Sequence, residues 1–412
     1  MRVVFLTQYF PPETGAPQNR LYDLARRISQ SGIDITIMTA MPNYPAMEIH
    51  KGYKGKFFCR GEIDGLEVLR SWIFVRNARK NMVFRLLNYI SFSVTSFLVG
   101  LFKLKKFDVI FCESPPLFLG LTSYLLKAMK GGAMIFNISD LWPESAERLG
   151  LVTNRRLLGM ARKLEEFLYR KSDIIAGQTQ GIVGNISRRI PDREVYWLKN
   201  GVDLSFFNEG KIDLDWRGRV GLSPDDFIIM YAGIHGFAQG LDTVIEAAGM
   251  LKDMQHVRFV FVGQGPVKEK LQNSAEDLKL SNLTFVDPQP REMMPSVIAA
   301  CDAGLVPLRK LDLFKGAIPS KVFEFLAMRK PVLLGVDGEA RGILIDDSHS
   351  GLFFEPENAA DLSEKVRQLV EMGDRGKSLG ENGYRLAQSK FDRRKIAADF
   401  MVILNRAKSK TI

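Results

Sequence analysis

Cysteine is scarce in this chain. Only Cys59, Cys112 and Cys301 occur in 412 residues, far apart in sequence. A disulfide framework and a cysteine-rich zinc site are thereby excluded, and a reducing compartment fits best. Histidine is equally thin, four scattered residues, which argues against a multi-histidine metal centre. Glycine (35) and proline (18) are too few for collagen or for a disordered chain. Acid is short relative to base: 47 Asp and Glu against 57 Lys and Arg leave a formal charge of +10. That balance suits a polyanionic partner, whether a phosphorylated substrate, nucleic acid or an anionic bilayer surface. No nucleic-acid-binding motif accompanies the charge, so nucleic acid is not expected. The opening run, Met1 to Thr7, is too short for a signal peptide and meets Pro11-Pro12 at once.

What is present is an alternation of short apolar runs and helical stretches. Val3–Tyr9, Ile33–Thr39, Phe107–Cys112, Gly132–Ile138, Ser172–Ala176 and Val195–Leu198 read as buried strands. A stretch over 208–226 lacks periodicity and reads as a linker. The pattern then restarts with Phe227–Ala232, Arg258–Val262, Leu283–Val286, Ala303–Val306 and Pro331–Leu334. Continuous apolar strands separated by helices indicate parallel sheets covered on both faces. The expected fold is α/β, two doubly wound Rossmann-like domains with a cleft between them. The boundaries are 1–207, a linker at 208–226, and 227–390, with an amphipathic C-terminal helix (391–412) packing back on the first domain. Ligands bind such sheets at the carboxyl ends of strands.

Five strand-end loops are therefore the places to search. The first, Phe10 to Arg20, carries Gly15 ahead of a helix start, a natural anion site, or else is an ordinary turn. The second, Ile138 to Ser145, sets Asp140 and Glu144 around Trp142, which could stack on a sugar ring. Alternatively, Asp140 or Ser139 caps a helix beginning at Pro143. The third runs from Tyr231 to Leu241 and holds Gly233, His235, Gly236, Gln239 and Gly240. The fourth, Val262-Gly263-Gln264-Gly265-Pro266, is half of a dinucleotide fingerprint, but Lys268 occupies the third glycine position. The fifth, Lys315 to Val332, is the most informative. Ser320 reads as an N-cap, and Lys321 in the first turn opposes the helix dipole unless an anion is bound. Glu324 lies one turn on, within reach of hydroxyls of the same ligand. Asp213-Leu214-Asp215 matches an Asp-any-Asp metal-binding pattern, but it falls in the expected linker and reads as coincidence. No metal is expected.

Residues 83–102 hold one charge, Arg85, in 20 positions. That length could span a bilayer. A polar stripe of Arg85, Asn88, Ser91 and Thr95, with Arg76, Arg79 and Lys80 before and Lys103, Lys105 and Lys106 after, favours an amphipathic helix at the membrane interface. An ordinary domain helix and a true span are the alternatives. Phe84, Phe92 and Leu98 are the expected membrane contacts.

Taken together, Gly15, Asn200-Gly201-Val202-Asp203, the loop at 233–241, Val262 to Gly265, Pro307-Leu308, and Pro319 to Ala327 ending in Pro331-Val332 resemble the large retaining GT-B glycosyltransferase family 4. The resemblance covers essentially the whole chain. Asp140 to Glu144 and Gln239 to Leu241 are narrower and look like bacterial transferases that add N-acetylfucosamine or a related amino sugar in O-antigen or capsule assembly. It implies a UDP-sugar as donor substrate, no cofactor, and a lipid-linked (polyprenyl-diphosphate) glycan acceptor. It implies a cytoplasmic protein peripheral to the inner membrane. Gly15 would lie near the donor diphosphate, with Gly233, His235, Gln239, Gly263, Gly265, Pro319, Ser320, Lys321, Val322 and Glu324 also on the donor, Glu324 binding ribose hydroxyls. Asp140 would face the reacting sugar, and Arg20, Trp142 and Glu144 would lie on the acceptor side. The family's paired glutamates are reduced to one, since Gly316 stands where the first would be. Relatives with Arg and Lys in the 233–240 loop differ from this chain, and Lys321 is the candidate replacement for that charge. A nucleotide-sugar epimerase of the same fold and a catalytically silent scaffold are the rival readings.

Overall fold

The computed structural model describes every residue except 14, 45–46, 77–81, 149–151, 209, 211, 214, 411–412 and the side chain of residue 82. Two compact units result: Met1–Asn200 with Arg393–Ile412, and Gly201–Asp392.

In the first unit, strands β1 (Arg2–Leu6), β2 (Asp34–Ala40), β3 (Phe58–Ile63), β4 (Leu66–Ser71), β5 (Val109–Ser114), β6 (Ala133–Ile138), β7 (Ile174–Gly177) and β8 (Val195–Trp197) form one sheet of order 3-4-2-1-5-6-7-8. All pairings are parallel except β3 with β4. This antiparallel edge is a departure from the expected all-parallel sheet. Its signal was the Asp64-Gly65 dipeptide: both residues have positive φ (49° and 81°), as a tight hairpin turn requires. Helices α1 (Ala16–Gln30), α2 (Met82–Lys103), α3 (Phe118–Lys130), α4 (Glu144–Arg148), α5 (Arg155–Lys171) and α6 (Gln180–Arg189) complete the winding. One face of the sheet is covered by α2, α3, α5 and α6 through Phe92, Val99, Leu126, Leu168 and Ile186. The other is covered by α1 and the C-terminal helix Arg393–Ser409. There Phe400 meets Phe111 edge-on at 5.1 Å and Phe5 at 6.2 Å.

In the second unit, β9 (Phe227–Ala232), β10 (Val257–Val262), β11 (Leu283–Val286), β12 (Ala303–Pro307), β13 (Val332–Gly335) and β14 (Gly351–Phe353) form a wholly parallel sheet of order 11-10-9-12-13-14. Helices α7 (Trp216–Arg219), α8 (Leu241–Met250), α9 (Lys268–Asp277), α10 (Met294–Ala299) and α11 (Lys321–Ala327) run between or before its strands. The expected linker 208–226 is instead partly built into this unit. Trp216 is buried, the Asp213 amide donates to Ser296 Oγ at 2.9 Å, and Arg217 binds Ala300 O at 2.8 Å and Asp302 at 2.9 Å. A tryptophan and an arginine with several carbonyl and carboxylate partners turn an aperiodic stretch into packed structure.

Strand order reverses between β1 and β5 in the first sheet and between β9 and β12 in the second. Crevices open at such switch points, beyond the carboxyl ends of the strands.

Candidate active site

At the switch point of the second sheet two glycine loops are laced together. The Gly233 amide donates to Val262 O (2.9 Å), the His235 amide to Gln264 O (3.0 Å), and the Val267 amide to His235 O (3.1 Å). Gly263 has φ +140°, and a Cβ there would overlap the carbonyl oxygen of Gly233. At Gly265 a Cβ would overlap the His235 carbonyl oxygen. Glycine is therefore required for the two loops to touch. Lys268, which breaks the dinucleotide fingerprint, is buried and pins the same loop by donating to Gly263 O (3.2 Å) and Asp287 (2.7 Å).

Lys321 enters this place from α11. Its ammonium lies 3.5 Å from the centroid of the Tyr231 ring, a cation–π contact. The same Nζ sits 3.0 Å from where a Gly233 Cβ would be. Burial pushes the ammonium down to about 7, opposed by the nearby Glu324 carboxylate. A cation held in a place that disfavours its charge is a functional-site candidate. Tyr231, the platform, has its own hydroxyl raised far above the ordinary range by burial and donates it to Ile234 O at 2.6 Å. Pro319, Ser320 and Glu324 are half-buried along the same segment, while Val322 is in the core. Ser320 does not cap: its backbone is already helical (φ −58°, ψ −28°) and it makes no side-chain capping bond.

His235 departs from expectation. It is fully buried, packed against Tyr231 (5.8 Å), Phe261 (5.9 Å) and Phe285 (6.3 Å), so its ring is a wall of the core and not a donor contact. Burial first, then Lys268 and Lys321, lower it to about 4 and keep it neutral. Gln239 folds its carboxamide over Gly236. Two features of this loop were not read from sequence. Ile234 and Phe237 are exposed apolar residues beside Gly233. Arg309, leaving β12, ties the loop down by donating to Phe237 O (2.8 Å), Asp242 (2.9 Å) and Glu357 (2.6 Å).

The switch point of the first sheet has a different character. Arg20, expected on the acceptor side, is buried and ion-paired with Glu113, and also donates to Ser139 Oγ at 3.0 Å. Glu113 accepts further from Asn137 (2.7 Å) and from the Ser139 hydroxyl. Arg20 Nη2 is thus taken up inside the fold, while its buried Nη1 has no partner. Glu13, also buried, holds the Gly15 loop by accepting from the amides of Asn43 (2.7 Å), Tyr44 (2.8 Å) and Phe10 (3.3 Å). A lone carboxylate inside an apolar strand (Glu113), or between Pro12 and Gly15 (Glu13), was the available signal. Gly15 opens α1 in extended backbone (φ 168°) with no side-chain cap.

Asp140 lies at the end of β6, reached by solvent, with the Ser145 hydroxyl donating to it at 2.8 Å. Burial of its carboxyl raises it above the usual range, against the pull of Ser145 and the Leu141 amide. Trp142 is half-buried and packs on Phe118 (6.1 Å) within the α2–α3 core, so it is not a free stacking platform. Glu144 pairs with Arg148 at 2.6 Å. No group of three or more metal-binding side chains occurs among the described residues, and Asp213 pairs with Arg219. Of the expected membrane contacts, Phe92 is 0% exposed. Phe84 is half-buried between Phe74 (6.0 Å) and the Arg76 guanidinium (4.6 Å), and only Leu98 faces solvent. Arg79 and Lys80 lie outside the described residues.

Residues 213–386 match the family described as glycosyl transferases group 1. The chain is 25% identical over 377 residues to the putative colanic acid biosynthesis glycosyl transferase WcaI of Escherichia coli K12, covering 89% of this chain and 91% of that one. It is 22% identical over 278 residues to the probable glycosyltransferase WbjE of Pseudomonas aeruginosa, 65% and 67% of the two chains. Among solved structures, Anabaena Alr3699/HepE in complex with UDP and glucose superposes with a TM-score of 0.72 at 15% identity, over 98% of this chain and 99% of that one. WaaG, a glycosyltransferase involved in lipopolysaccharide biosynthesis, gives 0.67 at 16% identity over 98% and 99%. The stretch that matches the group 1 family lies within the second unit, and the chain is a glycosyltransferase of the GT-B fold.

Proposed function

We propose that this enzyme transfers a sugar, of the N-acetylated amino-sugar class, from a UDP-sugar to a lipid-diphosphate-linked glycan in surface polysaccharide biosynthesis, with retention at the anomeric carbon. One observation carries the donor assignment. The Lys321 ammonium is stacked on Tyr231 beside the bare backbone of Gly233, with Glu324 one turn away. This arrangement presents one cation and open backbone to a diphosphate and one carboxylate to ribose hydroxyls. The UDP seen in the HepE structure and the polysaccharide roles in the names of WcaI and WaaG support the same ligand class.

In the reaction the bond between the sugar's anomeric carbon and the diphosphate oxygen breaks. A bond to the acceptor oxygen forms on the same face, and the acceptor proton leaves with the departing UDP. Charge builds on the diphosphate, and Lys321 meets it in a water-poor place where an ammonium is worth most. Asp140, at the end of β6 with the Ser145 hydroxyl donating to it, is assigned to orient the acceptor hydroxyl. The charge is supplied by side chain and backbone, so no metal is required.

The test is thermal stabilisation by a panel of UDP- and other nucleotide sugars. Transfer to a synthetic lipid-diphosphate sugar follows, with the anomeric configuration of the product read by NMR. Stabilisation by UDP-N-acetylhexosamines and a retained configuration are expected. No response to any nucleotide sugar, or inversion, would overturn the reading.

A further inference from the structure

The positive charge of the chain is concentrated. Residues 68–107 hold eight Lys and Arg and no Asp or Glu, and residues 114–139 hold two Lys and no acid. The formal +10 equals the contribution of these two stretches, so the rest of the chain is balanced. The same stretches contain α2 and α3.

On α2 the solvent-facing side is apolar from end to end. Val83, Leu87, Ile90, Val94, Leu98 and Phe102 are exposed, Val94 at 52% and Phe102 at 75%, at three- and four-residue spacing. Leu121, Leu125 and Met129 repeat the stripe on α3, four residues apart. The two helices lie side by side. Thr122 donates to Ser93 O at 2.8 Å, and a Cβ at Gly100 would meet a Leu126 methyl at 2.7 Å. Both cover the same face of the sheet, so their outer stripes form one apolar surface. Lys103, Lys105 and Lys106 are exposed where α2 ends, and Arg85 where it begins. Trp72, 36% exposed, is fixed beside the patch because Thr95 donates to its carbonyl at 2.5 Å.

An exposed apolar surface of this extent marks an interaction site. We propose that the α2–α3 face docks the protein on a bilayer surface carrying anionic lipid, with the apolar stripes in the headgroup region and the lysines against lipid phosphates. The charge pattern selects this occupant. A second copy of the same face would set Arg85, Lys103, Lys105 and Lys106 against their own copies, and neither α2 nor α3 carries a carboxylate to pair with them. Although Val83–Lys103 is long and apolar enough to cross a membrane, its inner face is committed to the sheet. Phe92, Ser96 and Val99 are buried there, and Asn88 and Thr95 are bonded to Phe74 O and Trp72 O. The helix therefore lies on the surface and does not span.

The proposal is independent of the transferase reading, because donor binding belongs to the other unit. The full chain is sedimented with phosphatidylglycerol–phosphatidylcholine vesicles and with phosphatidylcholine vesicles alone. Binding should need phosphatidylglycerol and fall with salt. Each Lys→Gln change at 103, 105 and 106 should weaken it about fivefold, from the attraction one near-surface basic side chain adds. Val94→Asp with Leu98→Asp should abolish it, while thermal midpoint and UDP binding stay at wild-type values, which separates lost docking from lost folding. Equal partition onto neutral vesicles, no binding, or unchanged binding by the lysine variants would overturn the proposal. So would a dimer that the Val94/Leu98 variant dissociates in place of vesicle binding, which would give this face to a second copy, or a requirement for detergent extraction, which would indicate a span.

Discussion

The two sheets reverse strand order in the same way, yet their switch points are furnished differently. In the first, the charges cancel one another: Arg20, Glu113, Asn137 and Ser139 bond among themselves, and Glu13 is used up by three backbone amides. In the second, glycines remove side chains, and Lys321 is left on an aromatic face in a place that lowers it to about 7. The first arrangement stabilises a fold around its loops. The second stores an unfavourable charge that a bound anion would relieve. Stability and ligand binding are thus expected to separate between the units when each is perturbed.

The largest effect should come from Arg20→Ala. It leaves Glu113 buried without its cation, and removing one partner of a buried pair typically costs about 3–5 kcal/mol. Denaturant unfolding should show the first unit destabilised by that order, with UDP affinity of the folded protein unchanged. A mild stability effect with lost donor binding would reverse the contrast drawn here. Next, Glu324→Ala should lower UDP-sugar affinity about 10–100-fold, from hydrogen bonds to a charged group worth ~1.5–3 kcal/mol. UDP-sugar titration and the thermal midpoint, which should hold, check this together.

Lys321→Met should lower donor affinity about 10–100-fold on the same scale of charge-assisted bonds. Its stability signature is opposite in sign to that of Arg20→Ala. The folded Lys321 loses its proton near 7 and the unfolded one near 10.5. The unfolded chain therefore binds more protons in that window, and stability rises with pH across it. Wild type should show this rise, the Met variant should lack it, and the variant should be no less stable than wild type at pH 7. Equal pH slopes in the two proteins would contradict the buried charge.

Much of this was legible in the sequence. Apolar runs of four to seven residues located most of the strands, because strands covered on both faces cannot hide their composition. The Pro319 to Glu324 segment was legible because its charges and their spacing lie within one helical turn, although the expected Ser320 cap does not form. The Asp64-Gly65 hairpin went unread because Arg60 and Glu62 interrupt one strand and Glu67 and Arg70 the other, leaving no continuous apolar run to mark them. His235 and Phe92 were misplaced for one shared reason. A loop glycine pattern or a helical stripe says that residues share a face, but not which face meets the core. The Arg20–Glu113 ion pair went unread because the two residues lie 93 positions apart, beyond any local pattern. Trp216 and Arg217 show the converse, a polar aperiodic stretch held in place by a few long side chains.

A smaller effect is expected in the pH dependence of catalysis. On the proposed reading donor binding uses protonated Lys321, so KM for the UDP-sugar should rise as pH increases above about 7 and stay flat below it. A flat profile through pH 9 would remove the lysine from the donor site. The smallest expected effect is none at all: turnover should be unchanged in excess chelator. Loss of activity that magnesium or manganese restores would show that side chains and backbone do not supply the whole positive field.

The central claim, that Lys321 is a poised anion site for a nucleoside diphosphate, is tested most directly by calorimetric titration of UDP in two buffers of different ionisation enthalpy, above pH 7. Closing a diphosphate on the ammonium should raise its proton affinity. Wild type is predicted to take up a fraction of one proton per UDP bound, growing between pH 7 and 8, and Lys321→Met to bind weakly with that uptake abolished. Tight UDP binding without proton uptake, or uptake that survives in the Met variant, would contradict the account.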